Sequence, residues 1–306
     1  MIPQPRRAAE AKEGAAGTPA APARGTRHAE AGEDAAAALL SMRGGAVAHG
    51  GRTIWKDLAL DVRPGEFLAV LGPNGAGKTS LLRALLGRQS LSAGTLTVLG
   101  RPAHRANRHI GYIPQQASLS AQTPVRARDL VRFGVDGHRF GPRPRRRADR
   151  ERVDELLASV GASAYADAPL GELSGGERQR VRVAQALATD PRLLLCDEPL
   201  VSLDPHHQRA VTELLDTRRR SHGTGIVFVT HEINPVLDLV DRVLYLAPGA
   251  HRTGTPEEVL TSASLSRLYG SHIDVVRVGG RVVVAGAYEE PAHHPEDIHP
   301  HNGVRR

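Results

Sequence analysis

Apolar positions along this chain follow two periods in turn. Between residues 39 and 71 the short apolar segments LLSM, LALDV and FLAVL are separated by the glycine-containing turns HGGR and RPGE, the pattern of short β-strands. Farther on, LLLCD and GIVFVT are apolar without polar alternation, as strands are when helices cover both faces of a parallel sheet. Helical spacing governs KTSLLRALLGR, where Leu81, Leu82, Leu85 and Leu86 share a face ahead of Gly87. It recurs in ADRERVDELLASVG, where Val153, Leu156, Leu157 and Val160 make one stripe that stops at Gly161. The pattern predicts an α/β core interrupted by a helical insert at about 117–183. A hairpin is expected at RVGGRVVVAG, within a small β extension over 271–288. Residues 1–38, rich in Ala, Gly and Pro, and the polar end 289–306 have neither period and are expected to be disordered.

A chain of 306 residues with 40% hydrophobic content suits one core with an inserted subdomain. The net charge of +7 alone would suit a polyanion partner. However, only Lys12, Lys56 and Lys78 stand beside 37 arginines, and at 3% the aromatics leave little to stack on bases. Nucleic acid is therefore not expected as a partner. The single cysteine, Cys196, excludes an internal disulfide and, inside LLLCD, reads as a small buried hydrophobe. No stretch approaches the roughly 18 apolar residues of a membrane span. MIPQPRRAAEAKEGAAG also lacks an export signal's apolar core, so the expected compartment is the cytoplasm.

The chemistry begins at LGPNGAGKTS, which directly follows FLAVL. A loop almost free of side chains lets backbone N–H groups approach a ligand, and the next helix aims its positive end at the same place. Gly72, Gly77, Lys78 and Thr79 satisfy G-x-x-x-x-G-K-[ST] in a strand–loop–helix setting, the phosphate-binding loop. The whole loop, Gly72, Pro73, Asn74, Gly75, Ala76, Gly77, Lys78, Thr79 and Ser80, is the expected ATP cradle. Lys78 would reach the β- and γ-phosphates and the Thr79 hydroxyl would hold Mg²⁺. In a chain that otherwise uses arginine, a lysine here fits because a compact ammonium enters a ring of amides that a planar fork would not.

RLLLCDEP ends an apolar strand in two adjacent carboxylates, at the edge where α/β sheets bind ligands. Asp197 is expected to hold the metal's shell and Glu198 to activate water; closing a strand and capping a helix would also account for the pair. In LSGGERQR, Ser174 and Glu177 form a capping box ahead of a helix. Gly175 and Gly176 in the first turn also expose that helix end, making a second anion site with the Ser174 hydroxyl as a further donor.

With LSGGERQR the chain resembles the ATP-binding subunits of ABC transporters, over about residues 39–260. The resemblance implies a P-loop NTPase core with a mostly parallel sheet, an N-terminal antiparallel β portion and an inserted helical subdomain, the ATP-binding domain covering 39–270. It implies ATP and Mg²⁺ as ligands. By position it assigns Gln115 in YIPQQ, with Gln116 as the other choice, to Mg²⁺ or the attacking water. Asp204 in SLDP falls at a dimer seam, and His231 in VTHE contacts the γ-phosphate. His49 stands where relatives stack an aromatic ring on adenine, with Trp55 as the other choice. ATP would be clamped between the phosphate loop of one copy and Ser174, Gly175, Gly176 and Glu177 of a second, so a homodimer is implied. An integral membrane permease would dock on the helical insert, at the cytoplasmic face of the membrane, and an extracellular solute-binding protein would act through it.

VTHEINPV, GTPEEVLTSASLSRLYG and IDVVRVGGRVVVAG resemble, more narrowly, the ATPases of zinc and manganese importers. Metal-chelate importers, for siderophores or cobalamin, share the same core. A soluble ABC protein of translation or repair would need a second core or a long coiled coil, and a GTPase would need N-K-x-D. His293, His294, His299 and His301 could bind zinc, but prolines between them also suit a solvated end. The basic run RPRRRADRER could meet anionic lipid or simply be solvated.

Overall fold

Strand β3 (Phe67–Leu71), buried throughout, lies between β8 (Gly225–Val229) and β9 (Arg242–Ala247) in the computed structural model of this chain. The sheet continues from β8 through β7 (Leu193–Asp197) to β6 (Ile110–Ile113), every one of these pairs parallel, and β10 (Ala250–Gly254) closes the far edge antiparallel to β9. The structure describes residues 38–115, 125–137, 147–201 and 203–286. The two tails, Gln116 and the start of the helical insert, the first four residues of RPRRRADRER and the histidines at 293–301 lie outside them.

Strand alternation divides the core in two. Phe67, Ala69, Leu194, Cys196, Ile226 and Phe228 face one cluster, while Leu68, Val70, Leu193, Leu195, Val227 and Val229 face the other. Both faces are covered, so no polar alternation is needed, as the runs LLLCD and GIVFVT predict.

A second sheet, antiparallel, packs over one face: β2 (Arg52–Val62), β1 (Leu40–His49), β4 (Ala93–Val98) and β5 (Arg101–Pro102), in that order. Strand β1 runs on through Gly44 and Gly45 as a bulge, with register shifts on both sides of Gly45. Sequence periodicity assigns no element to β4, whose positions are exposed or half-buried except Val98. Helix α1 (Lys78–Leu85) is sandwiched between the sheets, with Leu81, Leu82 and Leu85 joining Met42, Trp55, Leu58 and Leu60 in one cluster.

On the opposite face lie α2 (Ala127–Asp136), α3 (Arg147–Ser159), α4 (Gly175–Leu187) and α5 (Pro205–His222). The predicted stripe of α3 is buried: Val153, Leu156, Leu157 and Val160 are at most 5% exposed. Two short helices, α6 (Pro256–Val259) and α7 (Ser262–Tyr269), lead to a hairpin of β11 (Ile273–Val278) and β12 (Arg281–Gly286) that turns at Gly279 and Gly280. Among the described residues no helix is long and apolar enough to cross a membrane.

Candidate functional site

Four neighbouring parallel strands, β3, β8, β7 and β6, end at the same edge, and each delivers one part of the site. After β3 comes the glycine loop, after β8 His231, at the end of β7 Asp197 and Glu198, and beyond β6 Gln115. Together with His49 they line a cavity of about 730 Å³, joined by Ile54, Arg83 and Gln89. Pro73, Asn74, Gly75, Thr79 and Ser80 also line it, while Ala76 is buried beneath the loop.

The loop's shape is dictated by what lies behind it. Gly72 has φ 141° and its Cα faces the Leu246 carbonyl so closely that a Cβ would collide with it. Gly77, at φ 96°, rests on the side chains of Ile54 and Trp55, again with no room for a Cβ. Trp55 is fully buried, and its indole N–H donates to the Gly77 carbonyl at 3.4 Å, so it supports the loop from below and does not line the cavity. Gly77 is the N-cap of α1 and supplies no side-chain acceptor. The first N–H groups of the helix are therefore left for a ligand, at the positive end of the helix dipole.

Lys78 is 7% exposed, and its ammonium donates to the carbonyls of Gly72 at 2.6 Å and Pro73 at 3.1 Å. Its third N–H is left for the cavity. Burial lowers its pKa, opposed by the nearby Glu198 and Asp197 carboxylates. Asp197, half-buried, accepts from the Tyr112 hydroxyl at 3.2 Å. Burial raises the Asp197 pKa, with the Tyr112 bond and Lys78 acting the other way, and pushes the Tyr112 phenol up to about 12.

Glu198 has φ 47°, and its N–H donates to the Val229 carbonyl at 2.9 Å. This left-handed backbone is uncommon for a residue with a Cβ. One Glu198 oxygen accepts from the Gln115 amide at 2.9 Å, and the other lies 3.7 Å from His231 Nδ1. Glu198, Gln115 and His231 thus form one contact group.

Thr79, Gln115 and Asp197 line the same cavity, and their side chains carry oxygen donors, a hard set that fits Mg²⁺. A carboxyl whose pKa is raised by folding stabilises the fold below its unfolded pKa and loses that contribution as pH rises through the folded one. At neutral pH ionised Asp197 therefore weighs against folding, and Asp197→Asn is expected to keep or raise the Tm of the ligand-free protein at pH 7–8 while ATP turnover falls. A thermal scan with an activity assay checks both halves.

Ser174, Gly175, Gly176, Glu177 and Asp204 do not line this cavity. The capping box is formed as its sequence predicts: the Ser174 hydroxyl accepts from the Glu177 N–H at 3.3 Å, and the Glu177 carboxylate accepts from the Ser174 N–H at 2.8 Å. That backbone donor holds the Glu177 carboxyl below the usual carboxylate range. Asp204 caps α5 by accepting from the His207 N–H at 3.0 Å and bonds the His207 ring at 2.5 Å. The ring leaves no room for a Cβ on Gly176. His207, unmarked by any sequence motif, therefore ties the SLDP turn to the glycines of α4. Tyr112 and Ile54 were likewise hidden, because their roles arise from strand pairing.

The ABC transporter family matches residues 55–201. The zinc import ATP-binding protein ZnuC of Halorhodospira halophila is 36% identical over 236 residues, 77% of this chain and 84% of that protein. The hemin import ATP-binding protein HmuV of Pseudomonas aeruginosa is 36% identical over 274 residues, covering 86% of this chain and 98% of its own. The Fe(3+) ions import ATP-binding protein FbpC of Streptomyces coelicolor is 42% identical over 231 residues, 72% of this chain and 63% of that one. Among solved structures, a metal-chelate type ABC transporter in an inward-facing conformation matches with TM-score 0.69 and 27% identity, over 81% of this chain and 96% of that one.

Proposed function

This chain belongs to the ABC transporter family and is an ATPase, and from that premise we propose that it energises a separate membrane permease for uptake of a divalent metal ion, zinc or manganese. The observation that carries the reading is the convergence of a phosphate-cradling helix end, two carboxylates and a histidine on one cavity. The zinc import proteins among its relatives support the cargo. Relatives that import hemin and Fe(3+) support the second reading, a metal-chelate or iron importer.

In the proposed mechanism the loop amides and Lys78 bind the β- and γ-phosphates of ATP, meeting charge with donors already fixed in place. Thr79, Gln115 and Asp197 would hold Mg²⁺, which neutralises phosphate charge when bound. Glu198 takes a proton from the attacking water, with Gln115 orienting the carboxylate. His231, on the other side of Glu198, steadies the γ-phosphate.

Ser174, Gly175, Gly176 and Glu177 lie outside their own cavity, and they would close that of a second copy, with Asp204 at the seam. The site is then complete only in a homodimer, whose closing and reopening moves the permease at the cytoplasmic face. An extracellular solute-binding protein would present the cargo to that permease. Cargo is tested in a host strain lacking this chain, grown with a metal chelator. Recovery on added Zn²⁺ or Mn²⁺ but not hemin or Fe³⁺ is expected, and the reverse favours the second reading.

His49 is exposed at the mouth of the cavity with Ile54 beside it, and the two would sandwich the adenine edge. Base stacking is worth about 1–3 kcal/mol, so His49→Ala is expected to raise KM for ATP about fivefold or more with little change in kcat. Steady-state kinetics over a range of ATP concentrations checks it.

A further inference from the structure

The hairpin of β11 and β12 has two unlike faces. Directly paired residues share a face, so Ile273, Val275, Val282 and Val284 point one way with Arg277, and Asp274, Val276, Val278, Arg281, Val283 and Ala285 point the other. The first face is anchored. Ile273 and Val282 are buried, and the Asn234 side chain clamps Val282, donating to its carbonyl at 3.0 Å and accepting from its N–H at 2.8 Å. Asn234 stands three residues beyond His231, so the hairpin is fixed to the segment that carries a residue of the ATP site.

Among the described residues the second face covers nothing. Val276, Val278 and Val283 are 49%, 63% and 50% exposed, forming an apolar patch in a chain whose other described exposed large hydrophobic away from this hairpin is Phe133. Its two charges sit at diagonally opposite corners: Asp274, paired only with the exposed His272 at 3.1 Å, and Arg281, which has no partner among the described residues.

We propose that this face docks on the same face of a second copy of the chain. A two-fold axis across the hairpin, through the Val276–Val283 pair, lays the Asp274 end of one copy over the Arg281 end of the other. The strands then cross at the angle of about 30° usual for aligned sheets. The valines meet their own copies at the centre, with an opposite-charge pair on each side, so the face is self-complementary in charge and in apolar area, as a two-fold contact requires.

The face is small. Six residues cover a few hundred Å², against about 800 Å² per partner in a stable complex, so the contact cannot hold a dimer by itself. It acts when the ATP-dependent pairing proposed above, on which it rests, has raised its effective concentration. Because the hairpin is clamped to Asn234, the contact joins the two His231 segments of the pair.

The test uses the chain's one cysteine to advantage. Cys196 is fully buried, so a cysteine introduced at the hairpin is the reactive one. In full-length Glu198→Gln protein, Val283→Cys is treated with a bismaleimide matched to the roughly 10 Å spacing of stacked sheets. ATP is expected to raise the cross-linked dimer about tenfold, whereas Arg277→Cys, on the anchored face, gives none. Asp274→Arg is expected to lower the yield about threefold, and adding Arg281→Asp to restore it.

An ATP-induced dimer on a sizing column without the cross-link, or a charge exchange that fails to restore it, overturns the hairpin contact and leaves the pairing intact. A Val283→Cys thiol shielded already in the monomer also overturns it, because another part of the chain then covers the face. If ATP induces no dimer at all, the pairing and the contact fall together.

Discussion

Lys78→Ala is expected to lower ATP turnover by about a thousandfold or more, the scale lost when a fixed donor to a transferring phosphoryl group is removed. The side chain is nearly buried and two of its three donors are occupied by Gly72 and Pro73, so it is held in place before any ligand arrives. Removing it deletes the one cation that lines the cavity from within the glycine loop. Arginine does not substitute: its planar fork cannot enter the space between those two carbonyls. Lys78→Arg is therefore expected to fail almost as fully. Phosphate release measured at saturating Mg²⁺ and ATP checks the rate. A Tm within a few degrees of the parent separates a lost donor from a lost fold. Turnover near the parent rate in a folded Lys78→Ala protein would remove the phosphate-cradle assignment.

Glu198→Gln is expected to reduce turnover by about a hundredfold to ten-thousandfold, the contribution of a positioned general base, while ATP binding survives. The amide keeps the size of the carboxylate and can still meet Gln115, at 2.9 Å from Glu198 in this structure, but it cannot accept a proton. Bound ATP then persists and the closed pair with it, so a stable ATP-dependent dimer is expected on a sizing column. Removing the charge also relieves repulsion toward a γ-phosphate, and the variant is expected to bind ATP at least as tightly as the parent. Hydrolysis at the normal rate would exclude Glu198 as the base.

The two variants probe different links. In the proposed mechanism Lys78 serves the phosphates through loop geometry set by Gly72 and Gly77, and Glu198 serves the water from a residue with left-handed backbone that no motif encodes. A non-glycine residue at φ 47° is unfavourable locally, and it is kept because the Glu198 N–H bonds to Val229 on the neighbouring strand.

How far sequence reached depended on how local each feature is. The glycine loop, the capping box of Ser174 and Glu177, the stripe of α3 and the hairpin at Gly279 and Gly280 are all written within some dozen consecutive residues. Each rests on local geometry: a glycine's freedom, a side-chain oxygen three residues from an N–H, a repeat of 3.6. β4 escaped because its exposed and half-buried positions carry no alternation, and it becomes a strand only by pairing with β1. The continuation of β1 through Gly44 and Gly45 likewise shows only once its partners β2 and β4 are in place. Tyr112 gave no signal either, because its bond to Asp197 exists only when β6 lies beside β7.

By itself, then, the sequence determined the chemistry available: a loop that binds phosphate, an acid pair at a strand end, a second helix start led by glycines and strands apolar enough to be buried on both faces. The order β3-β8-β7-β6 was a matter for the tertiary structure alone, as were Trp55 under Gly77 and His207 against Gly176. The reason is physical. Periodicity reports which face of an element is buried, but the partner across that face, and hence which side chains meet at one sheet edge, is chosen by the packing of residues far apart in the chain.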